Sequence, residues 1–444
     1  MAENKSELIV GVNEKISIGK ALFLGLQHVL SMDLYIMPLI LGGAVGFSGG
    51  DLSFFLQMSF FACGIATILQ AGLFMKYPII QGPSYVPLGA LSTIGATMGV
   101  NVMIGSLIPG AILIVIMGIC KGFSKFVRKA IPPFIGGIII LVVGISLTPT
   151  AVTGIASTDG NLTANVVSGL TAAVVLIICM ILQYKLKRSR ILHMTSVILA
   201  LIAGTIAATA MGAADFSAVS DAAWFHLPQL FHFGIPQFNL QACILMAFIY
   251  MIVLLDTTGT WITISAITGE DLNDERIDRA TVGEGLGCLI GSLFGGTPMT
   301  GYSSNAGVLA ITKVGSRMAI IAGGIILAVL GVCPKLMTVI SCIPAPVVNG
   351  VFAMVCILLI SNGIKIIQKE PLDERTSLII GISVVTAVAT IVLPQEVLNA
   401  MPTFLNYFLS SGTAVGATVA VVLQLLLPYK KEHTDKSKIA RTTC

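Results

Sequence analysis

The fold of this chain is decided by residues 77–87, which read Tyr77-Pro78-Ile79-Ile80-Gln81-Gly82-Pro83-Ser84-Tyr85-Val86-Pro87. A second stretch, residues 295–305, reads Gly295-Gly296-Thr297-Pro298-Met299-Thr300-Gly301-Tyr302-Ser303-Ser304-Asn305. Proline removes a backbone donor and clashes with the preceding helical turn, so neither stretch can form a regular helix. We therefore predict two short extended segments, each of which leads into a half-helix.

The composition of the chain indicates the solvent around these two stretches. Of the 444 residues, 55% are hydrophobic and 10% are charged, and the mean hydropathy is +0.95. Soluble domains carry about 25% charged residues. A chain with so little charge cannot cover its own surface with polar groups, so most of that surface must face lipid. We predict an all-α polytopic membrane protein.

Apolar segments along the chain predict fourteen transmembrane segments. A spanning helix needs about 20 apolar residues, and the third and tenth segments are short or broken by Gly and Pro. The predicted spans are 18–42, 54–75, 84–100, 102–120, 130–150, 164–183, 192–211, 240–265, 280–296, 304–314, 317–333, 337–361, 376–394 and 402–427.

The distribution of positive charge supports this count. If the N-terminus is cytoplasmic and the spans alternate, every Lys and Arg except Lys335 falls on the cytoplasmic side. Cytoplasmic loops carry the excess of Lys and Arg in membrane proteins. We therefore expect an integral protein of the plasma (inner) membrane, with both termini cytoplasmic. Its non-spanning parts are the N-terminus (1–17), an extracellular connection (213–239) and a basic cytoplasmic tail (428–444).

The fourteen spans divide into two sets of seven, residues 18–212 and 240–427. An odd number of spans places the two sets in opposite orientations, as in the inverted repeats of many secondary transporters. The two broken stretches then occupy the same position, the third span of each repeat. Irregular backbone at membrane depth persists only where it lines a protein cavity, so these stretches are the candidate substrate site.

Four ionisable residues lie inside predicted spans, and such residues are functional candidates because burying them in lipid is costly. Asp256 has no basic residue in its helix, so its carboxylate can take up a proton or accept a hydrogen bond from a ligand. Glu284 lies near the start of its span, where cytoplasmic water could reach it. His28 fits a structural and a functional role equally, and the role of Asp33 is open.

Transport driven by an ion gradient is the predicted activity. The chain has no G-x4-GK[ST] phosphate loop, which favours secondary transport over ATP hydrolysis. A carboxylate without a cation suits proton coupling, and sodium remains possible.

No cofactor, catalytic residue, metal site or nucleic-acid partner is predicted. An enzyme is disfavoured because no HExxH motif occurs and the GxSxG match, Gly46–Gly50, lies in a predicted outer loop. A channel is less consistent with two broken helices than a carrier.

Four motifs in chain order carry a resemblance to a known family. Asn305–Lys313 matches the signature N-x-G-x4-T-[RKG], and Gln27-His28 matches a Q-[HN] motif in the first span. Gln81–Tyr85 and Leu255–Gly259 are similar to the third-span strand and the eighth-span acidic site. Over about residues 18–427 the chain thus resembles the nucleobase–ascorbate transporters, which include bacterial uracil, xanthine and uric acid permeases.

The resemblance implies an architecture and a site. Spans 1–4 and 8–11 would form a core domain that moves like an elevator against a gate domain of spans 5–7 and 12–14, within a homodimer. Substrate would lie between the broken spans. The implied roles are a base-binding carboxylate (Asp256), ring-flanking tyrosines (Tyr85 and Tyr302), backbone N–H groups that meet base carbonyls (near Ser84, Ser304 and Asn305), and a proton-coupling or polar network (Asp256, Glu284, His28 and Gln27).

Two positions depart from the family pattern and bear on the substrate. Ser304 stands where Gln, Glu or Pro is usual, and Asp256 stands where Glu is common. Both changes shorten the polar reach into the site, which fits a larger substrate or a bridging water. Glu284 and the context Leu254–Gly259 look more like the xanthine-type members of the family, so the resemblance favours a purine such as xanthine or uric acid. A uracil permease, or an ascorbate or anion carrier of the same fold, remains an alternative, although Asp256 argues against an anion.

Overall fold

A computed structural model describes residues 8–130, 132–186 and 190–427, and it is mostly helical. The predicted basic tail, 428–444, and residues 1–7 of the predicted N-terminal segment lie outside these described residues. The helices are α1 (Ile18–Leu30), α2 (Ile36–Ala44), α3 (Gly49–Leu69, extended by a π-helical turn at Gln70–Phe74), α4 (Leu88–Met98), α5 (Val100–Ile119), α6 (Phe123–Ala130), α7 (Pro133–Ala156), α8 (Leu162–Lys185), α9 (Arg190–Ala210), α10 (Ala218–Asp221), α11 (Leu240–Thr268), α12 (Asp274–Leu293), α13 (Ser303–Thr312), α14 (Arg317–Gly331), α15 (Pro334–Ser341), α16 (Ala345–Ile367), α17 (Glu374–Ile391), α18 (Gln395–Asn399), α19 (Thr403–Leu409) and α20 (Gly412–Leu426).

Long apolar helices make this chain an integral membrane protein. Within the described ranges, seven helices are long and apolar enough to cross a bilayer: α3 with its π-helical turn, α5, α7, α8, α11, α16 and α17. A further pair, α14 and α15, is apolar enough but bends by 81° at its junction. Four other apolar helices are shorter, namely α1, α4, α20 and the part of α9 that begins at Thr195.

The first predicted span, 18–42, is interrupted in the structure. α1 ends at Leu30 and α2 begins at Ile36, and the residues between them are not helical. The Ser31 hydroxyl donates to the His28 carbonyl over 2.8 Å at this end of α1. Asp33 lies in the break, where it accepts a hydrogen bond from Tyr85, so a distant part of the chain holds this segment.

The helices pack in two groups. The first group consists of α1, α3, α5, α11, α12 and α14, and the second of α7, α8, α9, α16, α17 and α20. Glycines permit close helix contacts in both groups, as small residues do in membrane proteins. A Cβ added at Gly64 of α3 would lie 2.5 Å from the Gly324 carbonyl of α14, and one at Gly363 of α16 would lie 2.7 Å from the Gly137 carbonyl of α7.

Two short buried strands bring distant parts of the chain together. β1 (Gln81–Pro83) pairs antiparallel with β2 (Met299–Gly301), with Gly82 opposite Thr300. The pairing continues at both ends: the Ser84 N–H donates to the Pro298 carbonyl over 2.8 Å, and the Tyr302 N–H donates to the Ile80 carbonyl over 3.0 Å. These strands therefore place the starts of α4 and α13 next to each other.

Residues 8–16 form a strap along the loop that joins α13 to α14. The Ile9 N–H donates to the Lys313 carbonyl over 2.7 Å, and Val10 forms a parallel bridge with Val314. The Gly315 N–H donates back to the Val10 carbonyl over 2.9 Å, and the Ser316 hydroxyl donates to the Glu14 carbonyl over 3.0 Å. The strap thus supports the far end of the half-helix α13.

The connection between α9 and α11 covers one end of the first helix group. Its backbone N–H groups at His226, Phe231 and Gln237 donate to carbonyls at the ends of α14, α12 and α5. The ring of Phe233 stacks on Phe47, with centroids 4.5 Å apart. These contacts tie the helix ends together on this side.

Candidate functional site

Asp256 lies on α11 beside the paired strands. Its carboxylate is partly buried, and no hydrogen bond or ion pair reaches it from the described residues. The next residue, Thr257, is fully buried, and its hydroxyl accepts the Gly301 N–H of β2 over 2.8 Å. This bond fixes the distance between the acidic position and the second broken segment. The site thus presents an unpaired carboxylate next to the start of α13.

Tyr85 joins the two helix groups at the start of α4. Its hydroxyl donates to Asp33 Oδ2 over 2.6 Å, and its ring stacks on Phe352 of α16 with centroids 5.6 Å apart and an interplanar angle of 23°. Phe352 belongs to the second helix group. The predicted aromatic wall therefore touches both groups of helices.

Tyr302, the other predicted wall residue, packs on the backbone of β1. A Cβ added at Gly82 would lie 2.5 Å from the Tyr302 ring, so the absence of a side chain at Gly82 makes room for the aromatic group. Tyr302 is 7% exposed, and its hydroxyl lies beside the hydroxyl of Tyr85. The two predicted wall residues are therefore neighbours.

The signature residue Asn305 has a structural contact. Its Nδ2 donates to the Pro78 carbonyl over 2.6 Å, which ties α13 to the first broken stretch, and its Oδ1 has no partner among the described residues. The Ser304 hydroxyl is likewise buried without a partner in this part of the structure. Asn305 therefore holds the two broken segments together.

Two of the three predicted backbone donors, those of Ser84 and Asn305, are already bonded within the protein. The Ser84 N–H donates to Pro298, and the Asn305 N–H donates to the Tyr302 carbonyl over 3.2 Å. Neither group is free to meet a substrate carbonyl in this arrangement. The reason is that the strand pairing and the first turn of α13 already satisfy these donors.

Glu284 lies in a buried polar cluster behind the strands. Gln70 Nε2 donates to Glu284 Oε2 over 3.1 Å and to the Ala280 carbonyl over 2.9 Å. Thr257 and Gln81 also lie close to this carboxylate. Glu284 is 1% exposed, so the expectation that cytoplasmic water reaches it is wrong in this structure, because α3 and the strands cover the helix face that carries it.

The predicted pair Gln27 and His28 is buried on α1, at 7% and 2% exposure. The His28 ring lies beside the Asn305 side chain, and its Nδ1 has no partner among the described residues. Since Asn305 also contacts Pro78, His28 adjoins the same pair of broken segments. The structure thus brings His28 next to Asn305, while Glu284 belongs to the cluster on the α12 side.

A cavity of about 640 Å³ opens between α4 and the second helix group. Along α4 it is lined by Gly89, Thr93 and Thr97, which lie four residues apart and so share one face of the helix. Its other walls come from α7, the end of α17, the segment between α17 and α20, and the start of α20. The lining residues are Gly89, Thr93, Thr97, Ser146, Leu147, Pro149, Thr150, Thr390, Ile391, Leu393, Leu398, Met401, Asn406, Tyr407, Ser410, Ser411, Gly412 and Thr413.

No motif in the sequence predicted this cavity. Its lining has many hydroxyl groups and no Asp, Glu, Lys or Arg among the residues described. Thr93 and Thr97 donate to the helix carbonyls of Gly89 and Thr93 over 2.9 and 2.7 Å, so their oxygen lone pairs remain as acceptors. The four-residue spacing of Thr93 and Thr97 is the feature of the sequence that could have indicated a polar face on α4.

The comparisons with known proteins agree with this architecture. The model of the permease family matches residues 19–396. Uric acid permease PucK of Bacillus subtilis is 31% identical to this chain, and the match covers 94% of this chain and 97% of the relative. Nucleobase transporter PlUacP of Paenibacillus larvae is 29% identical over 94% of this chain and 97% of its own length. Xanthine permease of Bacillus subtilis is 29% identical, with 92% and 94% covered.

Solved structures share the fold at low sequence identity. The transmembrane domain of the cyanobacterial bicarbonate transporter BicA superposes with a TM-score of 0.59 at 16% identity, covering 94% of this chain and all of that domain. The structure of SLC26A9 superposes with a TM-score of 0.61 at 13% identity, covering 92% of this chain and 66% of its own. The family model over residues 19–396 and the relative at 31% identity show that the chain belongs to the permease family and is a membrane transporter rather than an enzyme.

Proposed function

We propose that this protein imports a nucleobase, with a purine such as xanthine or uric acid favoured, by proton symport. The single observation that carries the proposal is the unpaired carboxylate of Asp256 beside the paired strands and the half-helix starts. A nucleobase is flat and carries alternating donors and acceptors, so its site needs an aromatic wall and polar groups at fixed positions. Tyr85, Tyr302 and Asp256 supply these groups, and the named purine permeases among the relatives support this substrate class.

Symmetric packing supports an inverted repeat of residues 18–212 and 240–427 with seven spans each. Suppose that α1, α3 and α5 of the first half correspond to α11, α12 and α14 of the second half, in that order. The helix contacts between the two halves then occur in equivalent pairs. α3 packs on α14 as α12 packs on α5, and α1 packs on α14 as α11 packs on α5. The same correspondence relates the two strands. Fourteen spans with both ends cytoplasmic also fit the distribution of Lys and Arg, and we propose the plasma (inner) membrane as the location.

An elevator-like movement is the proposed mechanism. The first helix group, with both strands, would form the core domain that carries the substrate, and the second group would form the gate. The proposed site lies where the groups meet, since Tyr85 of the core stacks on Phe352 of the gate. The cavity beside α4 would then be the route to this site. We also propose a homodimer that holds the gate domains in place.

Protonation of Asp256 would couple the gradient to transport. A carboxylate that has no cation partner loses a costly negative charge when it takes up a proton. Glu284, with its hydrogen bond from Gln70, would be the second member of the polar network, and Gln27 and His28 would border it. Sodium coupling is the alternative for the driving ion.

Uptake into proteoliposomes tests the proposal. Xanthine, uric acid, uracil and ascorbate are supplied with and without an inward proton gradient, and with a sodium gradient, to the wild type and to Asp256→Asn. Asp51→Asn, which changes an exposed carboxylate at the start of α3, serves as the matched control. We expect proton-driven purine uptake by the wild type and the control, and its loss in Asp256→Asn.

The other outcomes are equally informative. Uptake of uracil alone would retain the mechanism and replace the substrate. Uptake driven by sodium but not by protons would replace the ion. Uptake of ascorbate, with no uptake of any base, would overturn the proposed function and the role of Asp256.

A further inference from the structure

We propose that Asp33 gives the substrate site a second carboxylate, which makes the transporter select neutral bases over anionic ones. The inference rests on the proposed function and specifies the substrate class of the same site. Asp33 lies in the break between α1 and α2, where its side chain is only partly buried. An apolar first span has no structural need for a carboxylate at this position.

The contact with Tyr85 places Asp33 at the proposed aromatic wall. The Tyr85 hydroxyl donates to Asp33 Oδ2 over 2.6 Å, a short distance that is typical of a hydrogen bond to a charged acceptor. Because Tyr85 is also the residue that meets the gate through Phe352, its position relative to Asp33 is fixed from two sides. Asp33 therefore lies at the end of the wall against which a base would stack.

Two further phenols lie near Asp33. Tyr35 and Tyr302 lie close enough to interact with its charge. No Lys or Arg forms an ion pair with Asp33 within the described ranges. The Asp33 carboxyl therefore has phenol groups beside it rather than a cation.

Tyr302 supplies a second observation. Its buried hydroxyl lies beside the hydroxyl of Tyr85 and near Asp33, at the end of β2. Asp33, Tyr85 and Tyr302 therefore form one polar cluster at the end of the paired strands, where a base would find hydrogen-bonding groups.

Two carboxylates without a cation have a consequence for the charge of the substrate. Neither Asp33 nor Asp256 is paired with Lys or Arg within the described ranges. When Asp256 carries the coupling proton, Asp33 remains to repel an anion and to accept a hydrogen bond from a ring N–H group. Xanthine is mostly neutral at pH 7, whereas uric acid is mostly a monoanion. The wild type should therefore take up xanthine in preference to urate from an equal mixture.

A competition experiment tests this inference. Proteoliposomes receive xanthine and urate together at pH 7, each with a different label, so that both share the same driving force. We expect Asp33→Asn to raise the ratio of urate to xanthine uptake by about three- to tenfold, the effect of a moderate charge interaction. Tyr85→Phe removes the hydrogen bond and keeps the carboxylate, so its ratio should stay low.

Each result supports or overturns the inference. An unchanged ratio in Asp33→Asn overturns it. A ratio in Tyr85→Phe that rises as much as in Asp33→Asn also overturns it, because the effect would then come from the Tyr85 hydroxyl. If Asp33→Asn does not fold, Asp33→Ser is measured in its place. Lack of uptake of any base by the wild type would instead refute the proposed function itself.

Discussion

Gly301 donates its backbone N–H to the hydroxyl of Thr257 over 2.8 Å, and both residues are buried. The bond joins β2 to α11 at the residue that follows Asp256. It therefore sets the position of the half-helix α13 relative to the acidic side chain. A transporter of this kind depends on such fixed distances, because a site held loosely cannot distinguish similar ligands.

Replacing Thr257 should separate this positioning role from general packing. Thr257→Val leaves the buried Gly301 N–H without an acceptor, which costs about 1–3 kcal/mol. We expect unfolding at a temperature lower by a few degrees and strongly reduced purine uptake. Thr257→Ser keeps the hydroxyl and should retain most of both. Equal unfolding temperatures for the Val and Ser variants would contradict this account.

Glu284→Gln should uncouple transport from the gradient. The neutral amide has nearly the same shape and can still accept the hydrogen bond from Gln70 through its oxygen, so the fold should persist. We expect exchange of labelled for unlabelled base across the membrane to continue, while accumulation driven by a proton gradient is lost. Glu284→Ala, which removes the hydrogen bond, should impair both activities. Gradient-driven accumulation at the wild-type level in Glu284→Gln would exclude Glu284 from coupling.

Helix packing in the second group makes Gly350 sensitive to a single methyl group. A Cβ at this position of α16 would clash with the backbone carbonyl of Gly169 on α8. Overpacking of this kind costs about 1–3 kcal/mol, so Gly350→Ala should lower the thermal stability. Gly381 of α17 has nothing within 4 Å of an added Cβ, and Gly381→Ala should be neutral or stabilising. Thermal unfolding in detergent compares the two, and equal stability would refute the packing argument.

The strap of residues 8–16 provides another matched pair of variants. Ile9→Pro removes the N–H that donates to the Lys313 carbonyl, whereas Ile9→Ala keeps it and changes only an exposed side chain, which is 74% accessible. We expect faster hydrogen exchange at residues 313–317 and slower uptake in Ile9→Pro, with Ile9→Ala close to the wild type. If both variants exchange at the wild-type rate, the strap does not support α13.

The sequence was sufficient to locate the two broken segments, because Pro and Gly act locally on the backbone. Pro78, Gly82 and Pro83 exclude a regular helix, and the structure has extended residues there. The break in the first span could not be predicted in this way. Its residues, Ser31–Tyr35, contain neither Pro nor Gly, and the interruption is stabilised by the Tyr85 hydroxyl, which comes from another part of the chain.

The burial of Glu284 could not be predicted from the sequence either. A hydropathy pattern places this residue near the start of a span, but it does not show that Gln70 and β1 cover it. The same limit applies to the backbone donors. A half-helix start suggests free N–H groups, whereas the pairing partners of Ser84 become visible only once the strands are placed.

The pairing of β1 with β2 has a consequence for biogenesis. Gln81 is synthesised long before its partner Gly301. Until the ribosome has passed residue 301, the backbone groups of the first strand therefore remain unpaired in the translocation machinery or the bilayer. Unsatisfied backbone is costly in lipid. The nascent chain should therefore depend on the insertion machinery to shield this segment. Neither half of the protein should reach the folded state when it is expressed alone. Coexpressed halves, in contrast, could complement each other in one membrane.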